Sequence, residues 1–105
     1  MSLKNIESTQ LNGWINNKNI LLIDVRNTEE VLHGIISGAV HVPISAIPEW
    51  LDNQDKEACY VFYCHSGIRS ANAALLAEQI GFSDVYNLSG GVLAWHHAGF
   101  EFTKK

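Results

Sequence analysis

The sequence predicts an α/β fold in which helices cover both faces of a mainly parallel sheet. Short apolar runs that are typical of strands buried on both faces recur along the chain, and segments with helical spacing of apolar residues lie between them. Alternation of this kind indicates strand-helix-strand units. Since 105 residues suffice for one hydrophobic core, we expect a single domain spanning 1–105, with its core at about 6–100.

The composition excludes several classes of function. Hydrophobic residues make up 47% of the chain and charged residues 17%, which is typical of a folded globular protein. Seven scattered basic residues against eleven acidic ones give a net charge of −4, so we expect no binding to nucleic acid or to an acidic membrane surface. No apolar run is long enough to span a bilayer, and residues 1–10 are too polar for a signal peptide, so we expect a cytoplasmic protein.

In the first half of the chain, two helices and two strands are predicted. Ser8 or Thr9 caps the first helix, and the aliphatic run 20–25 follows as a buried strand. Thr28 caps a short helix that ends at about residue 33. Residues 39–42 form a short strand, which the following proline closes.

The second half repeats the pattern. A short helix at 45–50 precedes the apolar run 58–63, which is predicted as a strand. A helix over 71–80 ends at Gly81, and a strand over 83–88 follows. The chain then passes through a Ser-Gly-Gly loop into a last helix, in which Trp95 is expected to be a core residue.

The stretch after the strand 58–63 carries the strongest chemical signal. Cys64 stands where a strand ends and a glycine-containing loop leads into a helix, the edge of an α/β sheet at which ligands bind. Backbone N–H groups of such a loop can converge on an anion. A helix amino terminus also lowers the pKa of a cysteine from its usual value of about 8.5. The loop therefore predicts a nucleophilic thiolate inside an anion-binding cradle.

The second cysteine is expected to be structural. Cys59 lies in the predicted strand that directly precedes Cys64. Five extended residues span about 16 Å, whereas the Cα atoms of a disulfide lie about 4.4–6.8 Å apart, so the two cysteines should not be bridged. We therefore expect two free thiols, which suit a reducing compartment.

Taken together, these stretches resemble the single-domain rhodanese family of sulfurtransferases over about 6–100. The order and spacing of several short motifs carry the resemblance. One segment departs from the family pattern, because the common Gly-His-Ile-Pro-Gly-Ala is replaced here by residues 34–39, which affects that loop's rigidity and contacts but not the sulfur chemistry. The matching motifs are Leu22-Ile23-Asp24-Val25-Arg26, Glu29-Glu30, Gly38-Ala39, Val42-Pro43, Tyr63-Cys64-His65-Ser66-Gly67-Ile68-Arg69-Ser70, Gly81-Phe82 and Leu88-Ser89-Gly90-Gly91 with Trp95.

The resemblance implies a five-stranded sheet and a catalytic role for Cys64, which would carry sulfur from a thiosulfate-like donor as a persulfide. A thiol, cyanide, a thioredoxin-like protein or a sulfur-carrier protein would accept it. The substrate would be bound by the remainder of the loop, with Gly67 allowing the tight curl and Arg69 supplying positive charge. No cofactor is implied. These loop residues are His65, Ser66, Gly67, Ile68, Arg69 and Ser70.

Asp24 and Arg26 are possible accessory residues at a neighbouring strand end. Arg26 either guides the substrate anion or pairs with an acid such as Glu30, while Asp24 is expected mainly in a structural pair. The His65 side chain is expected to face solvent. His96 and His97 do not predict a metal site, because adjacent helical residues point in different directions and no third ligand is suitably spaced.

Two other functions are compatible with the sequence. A non-catalytic rhodanese module that binds a partner protein is one, although such modules often lack the cysteine. A cysteine-dependent phosphatase or arsenate reductase is the other. Tyrosine-type and cell-cycle phosphatases typically place five residues between cysteine and arginine, whereas four separate Cys64 from Arg69, which favours sulfur over a phosphoryl group.

Overall fold

A computed structural model describes residues 3–104, and these form a five-stranded parallel sheet with helices on both faces. The strand order is β1-β5-β4-β2-β3. The strands are β1 (Asn5–Ile6), β2 (Leu21–Asp24), β3 (Val40–His41), β4 (Cys59–Tyr63) and β5 (Asp84–Leu88). The helices are α1 (Ser8–Asn17), α2 (Thr28–Val31), α3 (Ile47–Leu51), α4 (Ile68–Gln79) and α5 (Gly91–His97), and a short 3-10 helix spans Ile44–Ala46.

The side chains of β4 alternate between two apolar layers. Tyr60 and Phe62 pack on the side covered by α3 and α4, while Val61 and Tyr63 pack on the side covered by α1 and α5. This alternation follows from the two-residue repeat of a strand. Cys64 continues it and joins the first layer, so its side chain lies on the α4 side of the sheet.

The predicted α/β architecture is confirmed, and the structure corrects several boundaries. The cap of α2 is Asn27 rather than Thr28: its side chain accepts a hydrogen bond from the backbone N–H of Glu30 at 2.9 Å, and the Glu30 carboxylate accepts one from the N–H of Asn27 at 3.1 Å. Likewise Glu7 caps α1, in place of Ser8 or Thr9. Asn27 and Thr28 are both common capping residues and cannot be separated by pattern alone, whereas Glu7 is an uncommon cap that acts here through a reciprocal pair of hydrogen bonds with Gln10.

The structure also extends the predicted elements. Helix α4 begins at Ile68, three residues before the predicted start, so three of the six residues of the loop 65–70 belong to the first helical turn. The residue pattern does not predict strand β1, because this strand contributes a single buried side chain, Ile6, and is held in place by pairing with β5. Trp95 is a core residue, as expected, at 3% exposure. No helix among residues 3–104 combines the length and apolar character needed to cross a bilayer.

Candidate active site

The sulfur of Cys64 is held by backbone N–H groups at the start of α4. The N–H of Gly67 lies 3.1 Å from Cys64 Sγ, and that of Ser70 lies 3.5 Å from it. The first N–H groups of a helix have no partner within the helix, and they carry the positive end of its dipole. The loop therefore directs its amides inward, toward the sulfur, which is the arrangement that the sequence predicted.

These contacts change the acidity of the thiol. Burial alone would raise the pKa of Cys64, but hydrogen bonds offered by the Ser70 hydroxyl and by the amides of Ser70, Gly67 and Ser66 outweigh it and lower the pKa below the usual value. The Ser70 hydroxyl oxygen lies 3.4 Å from the sulfur. The site thus favours the thiolate, which is the nucleophilic form of cysteine.

Cys64 lies at the bottom of the loop and is only 1% exposed. His65, Ser66 and Ile68 are exposed around it, and the His65 side chain faces solvent as expected. Beside the loop, an open groove of about 790 Å³ runs from Ser66 toward the start of α1 and is walled by α5. A small anion or a slender thiol therefore suits the sulfur better than a bulky reagent.

Gly67 adopts the left-handed conformation that the tight loop requires. Its φ is +101°, a value that other L-residues rarely adopt. Space is also limited, because a Cβ at this position would lie 3.3 Å from the backbone nitrogen of Gly90. At residue 67, the loop around the Cys64 sulfur (residues 64–70, called the sulfur-binding loop below) therefore packs directly against the loop that follows β5.

The start of α5 anchors the outer side of the sulfur-binding loop. The N–H of Val92 donates to the carbonyl of Cys64 at 2.9 Å, and that of Leu93 donates to the carbonyl of His65 at 3.1 Å. Gly91 permits this approach, since a Cβ there would lie 2.7 Å from the His65 carbonyl oxygen. With its carbonyls bound to α5, the loop can turn its amides toward the sulfur. The sequence placed Gly91 at this edge but did not predict this role.

Arg69 is paired with an acid rather than free. Its guanidinium donates to both carboxylate oxygens of Glu30, at 2.7 and 2.9 Å. The hydrogen bonds from Arg69 lower the pKa of Glu30 most; burial opposes them, and the N–H of Asn27 lowers the pKa further, so that it falls to about 2. The expected pairing of Glu30 with Arg26 is therefore wrong, because the α2 carboxylate turns toward α4.

Arg26 instead pairs with Asp24 inside the protein. Arg26 Nη2 lies 2.8 Å from Asp24 Oδ2, and the same nitrogen donates to the carbonyl of Gly34 at 2.6 Å. Asp24 is 0% exposed and Arg26 is 4% exposed. Both groups are occupied and shielded from solvent, which favours the structural role over guidance of a substrate anion.

The segment that departs from the family pattern is held by other contacts. Ile35 pairs with Thr103 through two backbone hydrogen bonds of 2.7 and 2.8 Å. The N–H of Ile36 donates to the hydroxyl of Tyr63 at 3.0 Å. With Arg26 bound to Gly34, these contacts constrain a loop that lacks the family's histidine and proline.

The remaining candidates make no hydrogen bond to the Cys64 sulfur, although His97 lines the groove beside Ser66. Cys59 is a free, buried thiol, and burial together with the nearby Asp84 raises its pKa to about 11. His96 and His97 belong to the last turn of α5. Within residues 3–104, no three side chains of His, Cys, Asp or Glu lie close enough together to bind a metal ion.

Comparison with known proteins gives a consistent result. The sequence model described as a rhodanese-like domain matches residues 7–98. The chain is 42% identical over 96 residues to the putative sulfurtransferase YtwF of Bacillus subtilis, covering 90% of this chain and 92% of that protein. It is 33% identical over 97 residues to the thiosulfate sulfurtransferase GlpE of Shewanella oneidensis, covering 92% and 96%. A rhodanese-like domain protein from Staphylococcus aureus has a similar structure, with a TM-score of 0.84, 32% identity and coverage of 96% and 99%.

Proposed function

The chain belongs to the rhodanese-like domain family, and we propose that it moves a sulfane sulfur from a donor such as thiosulfate to a thiophilic acceptor through a persulfide on Cys64. The observation that carries this proposal is the convergence of the Gly67 and Ser70 amides on the Cys64 sulfur. The sulfurtransferase names of the relatives support the reaction class.

In the first step, the Cys64 thiolate attacks the outer sulfur of thiosulfate. A bond forms between the two sulfurs as the bond from the sulfane sulfur to the sulfite group breaks, and sulfite leaves with that electron pair. The product is a Cys64 persulfide whose outer sulfur carries the negative charge. In this proposal the amides that donate to Cys64 Sγ also stabilise the negative charge of the persulfide, because they are fixed before the reaction begins.

In the second step, the acceptor removes the outer sulfur. A thiolate or cyanide attacks it, the bond to Cys64 breaks, and Cys64 regains its electron pair as a thiolate. The same hydrogen bonds that favour the initial thiolate stabilise it as a leaving group. Two successive displacements of this kind predict ping-pong kinetics.

The surroundings of the sulfur favour small reactants. Cys64 is 1% exposed, so the donor must reach it through the opening between the exposed loop side chains. The open groove beside Ser66 leaves room for a larger acceptor, such as a thioredoxin-like protein, to present a thiol. A reducing, cytoplasmic setting, in which free thiols persist, forms part of the proposal.

Kinetics with thiosulfate and cyanide test this function, with thiocyanate as the measured product. The expected result is a set of parallel double-reciprocal lines for the wild type, and no turnover for Cys64→Ser. Cys59→Ser is the matched control and should keep full activity, because its sulfur is separate from the loop. Thiocyanate formation that survives in Cys64→Ser would contradict the proposal. Failure of all donors, with a partner protein bound equally by wild type and Cys64→Ser, would favour a non-catalytic binding module.

A further inference from the structure

A chain of polar side chains runs from the sulfur to the edge strand β1. Ser70 Oγ lies 3.4 Å from Cys64 Sγ and 2.5 Å from Asn87 Oδ1. On its other side, Asn87 Nδ2 donates to Asn5 Oδ1 at 3.1 Å. Ser70 is 0% exposed and Asn87 is 5% exposed, whereas Asn5 is exposed. The buried amide of Asn87 on β5 is thus connected to the Cys64 sulfur through one hydroxyl.

Ser70 has a single hydroxyl hydrogen to share between two neighbours. The amide oxygen of Asn87 can only accept, so the short contact between them requires Ser70 to donate to Asn87. In that arrangement the Ser70 oxygen can accept a hydrogen bond from the Cys64 thiol, but it has no hydrogen left for a thiolate. The short contact with Asn87 therefore competes with the hydrogen bond from Ser70 that helps to lower the pKa of Cys64, and this first arrangement suits the protonated sulfur.

Reversal of the two amides gives a second arrangement with the same heavy-atom positions. Asn87 Nδ2 then donates to Ser70 Oγ, the Ser70 hydrogen turns to Cys64 Sγ, and Asn87 Oδ1 accepts from the amide of Asn5. Every buried polar group stays paired, since a side-chain amide offers both donors and an acceptor. Asn5 is exposed and can rotate in contact with water. This arrangement suits the negatively charged sulfur.

We propose that Asn87 is a positioning residue that controls the Ser70 hydrogen, releasing it to Cys64 when the sulfur is anionic and withdrawing it when the sulfur is protonated. When the thiol ionises, the S–H bond breaks, its electron pair stays on sulfur and the proton leaves to solvent. The inference deepens the proposed function, which requires an anionic Cys64 both as attacking and as leaving group. It can be tested separately, because ionisation is measurable without sulfur transfer.

Other charged groups near the sulfur stay in place when residue 87 is changed. On α4, the pKa of Arg69 is raised mainly by its hydrogen bonds to Glu30 and, to a smaller extent, by the nearby Cys64. Glu30 on α2 holds Arg69 through two hydrogen bonds, and His65 in the loop is exposed. From β5, the side chain that reaches Ser70 is the uncharged amide of Asn87 itself.

The test is the pH dependence of Cys64 alkylation by iodoacetamide, measured in the Cys59→Ser background so that a single thiol remains. In Asn87→Asp, the ionised side chain can only accept hydrogen bonds, so it should hold the Ser70 hydrogen. The pKa of Cys64 should then rise by about one unit, which lowers the thiolate fraction roughly tenfold at pH values well below the pKa. Asn87→Ala has no acceptor, so the hydrogen should turn to the sulfur and lower the pKa. Opposite signs are the expected result.

The same two changes are then made with Ser70→Ala. If Asn87 acts through the Ser70 hydrogen, the Asn87→Ala shift should vanish in this background and the Asn87→Asp shift should shrink. Shifts of the same sign for both variants, or shifts of unchanged size without Ser70, would overturn the proposal. Circular dichroism identifies the variants that fold. If Asn87→Asp does not fold, the proposal is tested by the Cys64 pKa values of Asn87→Ala, Ser70→Ala and their double variant. A sulfur-transfer assay that fails while this cycle succeeds would reject only the proposed function.

Discussion

Arg69 and Glu30, separated by 39 positions in the sequence, form a two-point ion pair that joins the first turn of α4 to α2. The positive charge of Arg69, which the sequence assigns to binding of an anionic donor, is therefore balanced by the Glu30 carboxylate. We therefore expect binding of the proposed dianionic donor to depend largely on the backbone amides around Cys64, with Arg69 contributing a partly neutralised charge.

Removing the carboxylate should strengthen donor binding. Glu30→Gln keeps a side-chain oxygen for the Asn27 N–H but leaves the Arg69 charge uncompensated, so we expect the KM for thiosulfate to fall about two- to fivefold, the range of a surface ion pair. The pKa of Cys64 should fall as well. Glu29→Gln, which neutralises the exposed neighbouring acid, is the control and should change neither quantity. An unchanged or higher KM in Glu30→Gln would show that Arg69 does not act on the donor.

The same pair should make stability depend on pH in the acidic range. Because the folded-state pKa of Glu30 is about 2 and its value in an unfolded chain is about 4.3, its contribution is complete above the unfolded value and is lost as the pH falls through the folded value. Urea unfolding of wild type and Glu30→Gln should differ by on the order of 1 kcal/mol at pH 6 and converge toward pH 2. A difference that stays constant down to pH 2 would contradict this assignment.

The two cysteines should differ sharply in reactivity. Burial raises the pKa of Cys59 to about 11, whereas the hydrogen bonds at the start of α4 lower that of Cys64. Brief treatment with iodoacetamide at pH 7 should therefore add one label, located at Cys64 by peptide mapping. A bulky maleimide should react more slowly, since Cys64 is 1% exposed. Equal labelling of both cysteines would be inconsistent with a selectively activated Cys64.

Arg26 should matter for stability more than any exposed ion pair. Arg26→Ala leaves Asp24 charged and buried, which should reduce the free energy of unfolding by about 3–5 kcal/mol. Lys4→Ala, which breaks the exposed pair with Asp84, is the matched control and should cost at most about 1 kcal/mol. Urea unfolding at pH 7 measures both changes. Similar losses in the two variants would mean that the Arg26 pair is not structurally important.

Much of the fold could be predicted because burial leaves a clear pattern. The apolar runs at 20–25 and 58–63 become β2 and β4, and alternate side chains of β4 enter the two core layers. Where the signal is weak, prediction failed: β1 offers one buried residue, and the choice between Asn27 and Thr28 as the α2 cap depends on a hydrogen bond that only the structure shows.

The site divides in a similar way. Cys64 and Gly67 were predictable, because a strand end followed by a glycine turn is a local signal. Glu30 and Asn87 were not, since Glu30 reaches its partner across 39 positions and Asn87 contacts Asn5 across 82. A polar amide between Tyr86 and Leu88 in the predicted strand 83–88 is the available clue to Asn87. Its significance emerges only when the parallel pairing of β1 with β5 places Asn5 beside it.

The intact mass of the Cys59→Ser variant after incubation with thiosulfate tests the central claim most directly. One sulfur atom, about 32 Da, should be added, and a thiol acceptor or cyanide should then remove it, as expected for a covalent intermediate. The double variant Cys59→Ser/Cys64→Ser should gain no mass. A single-cysteine protein that stays unmodified with every sulfane donor, despite a reactive Cys64 thiolate, would contradict the account.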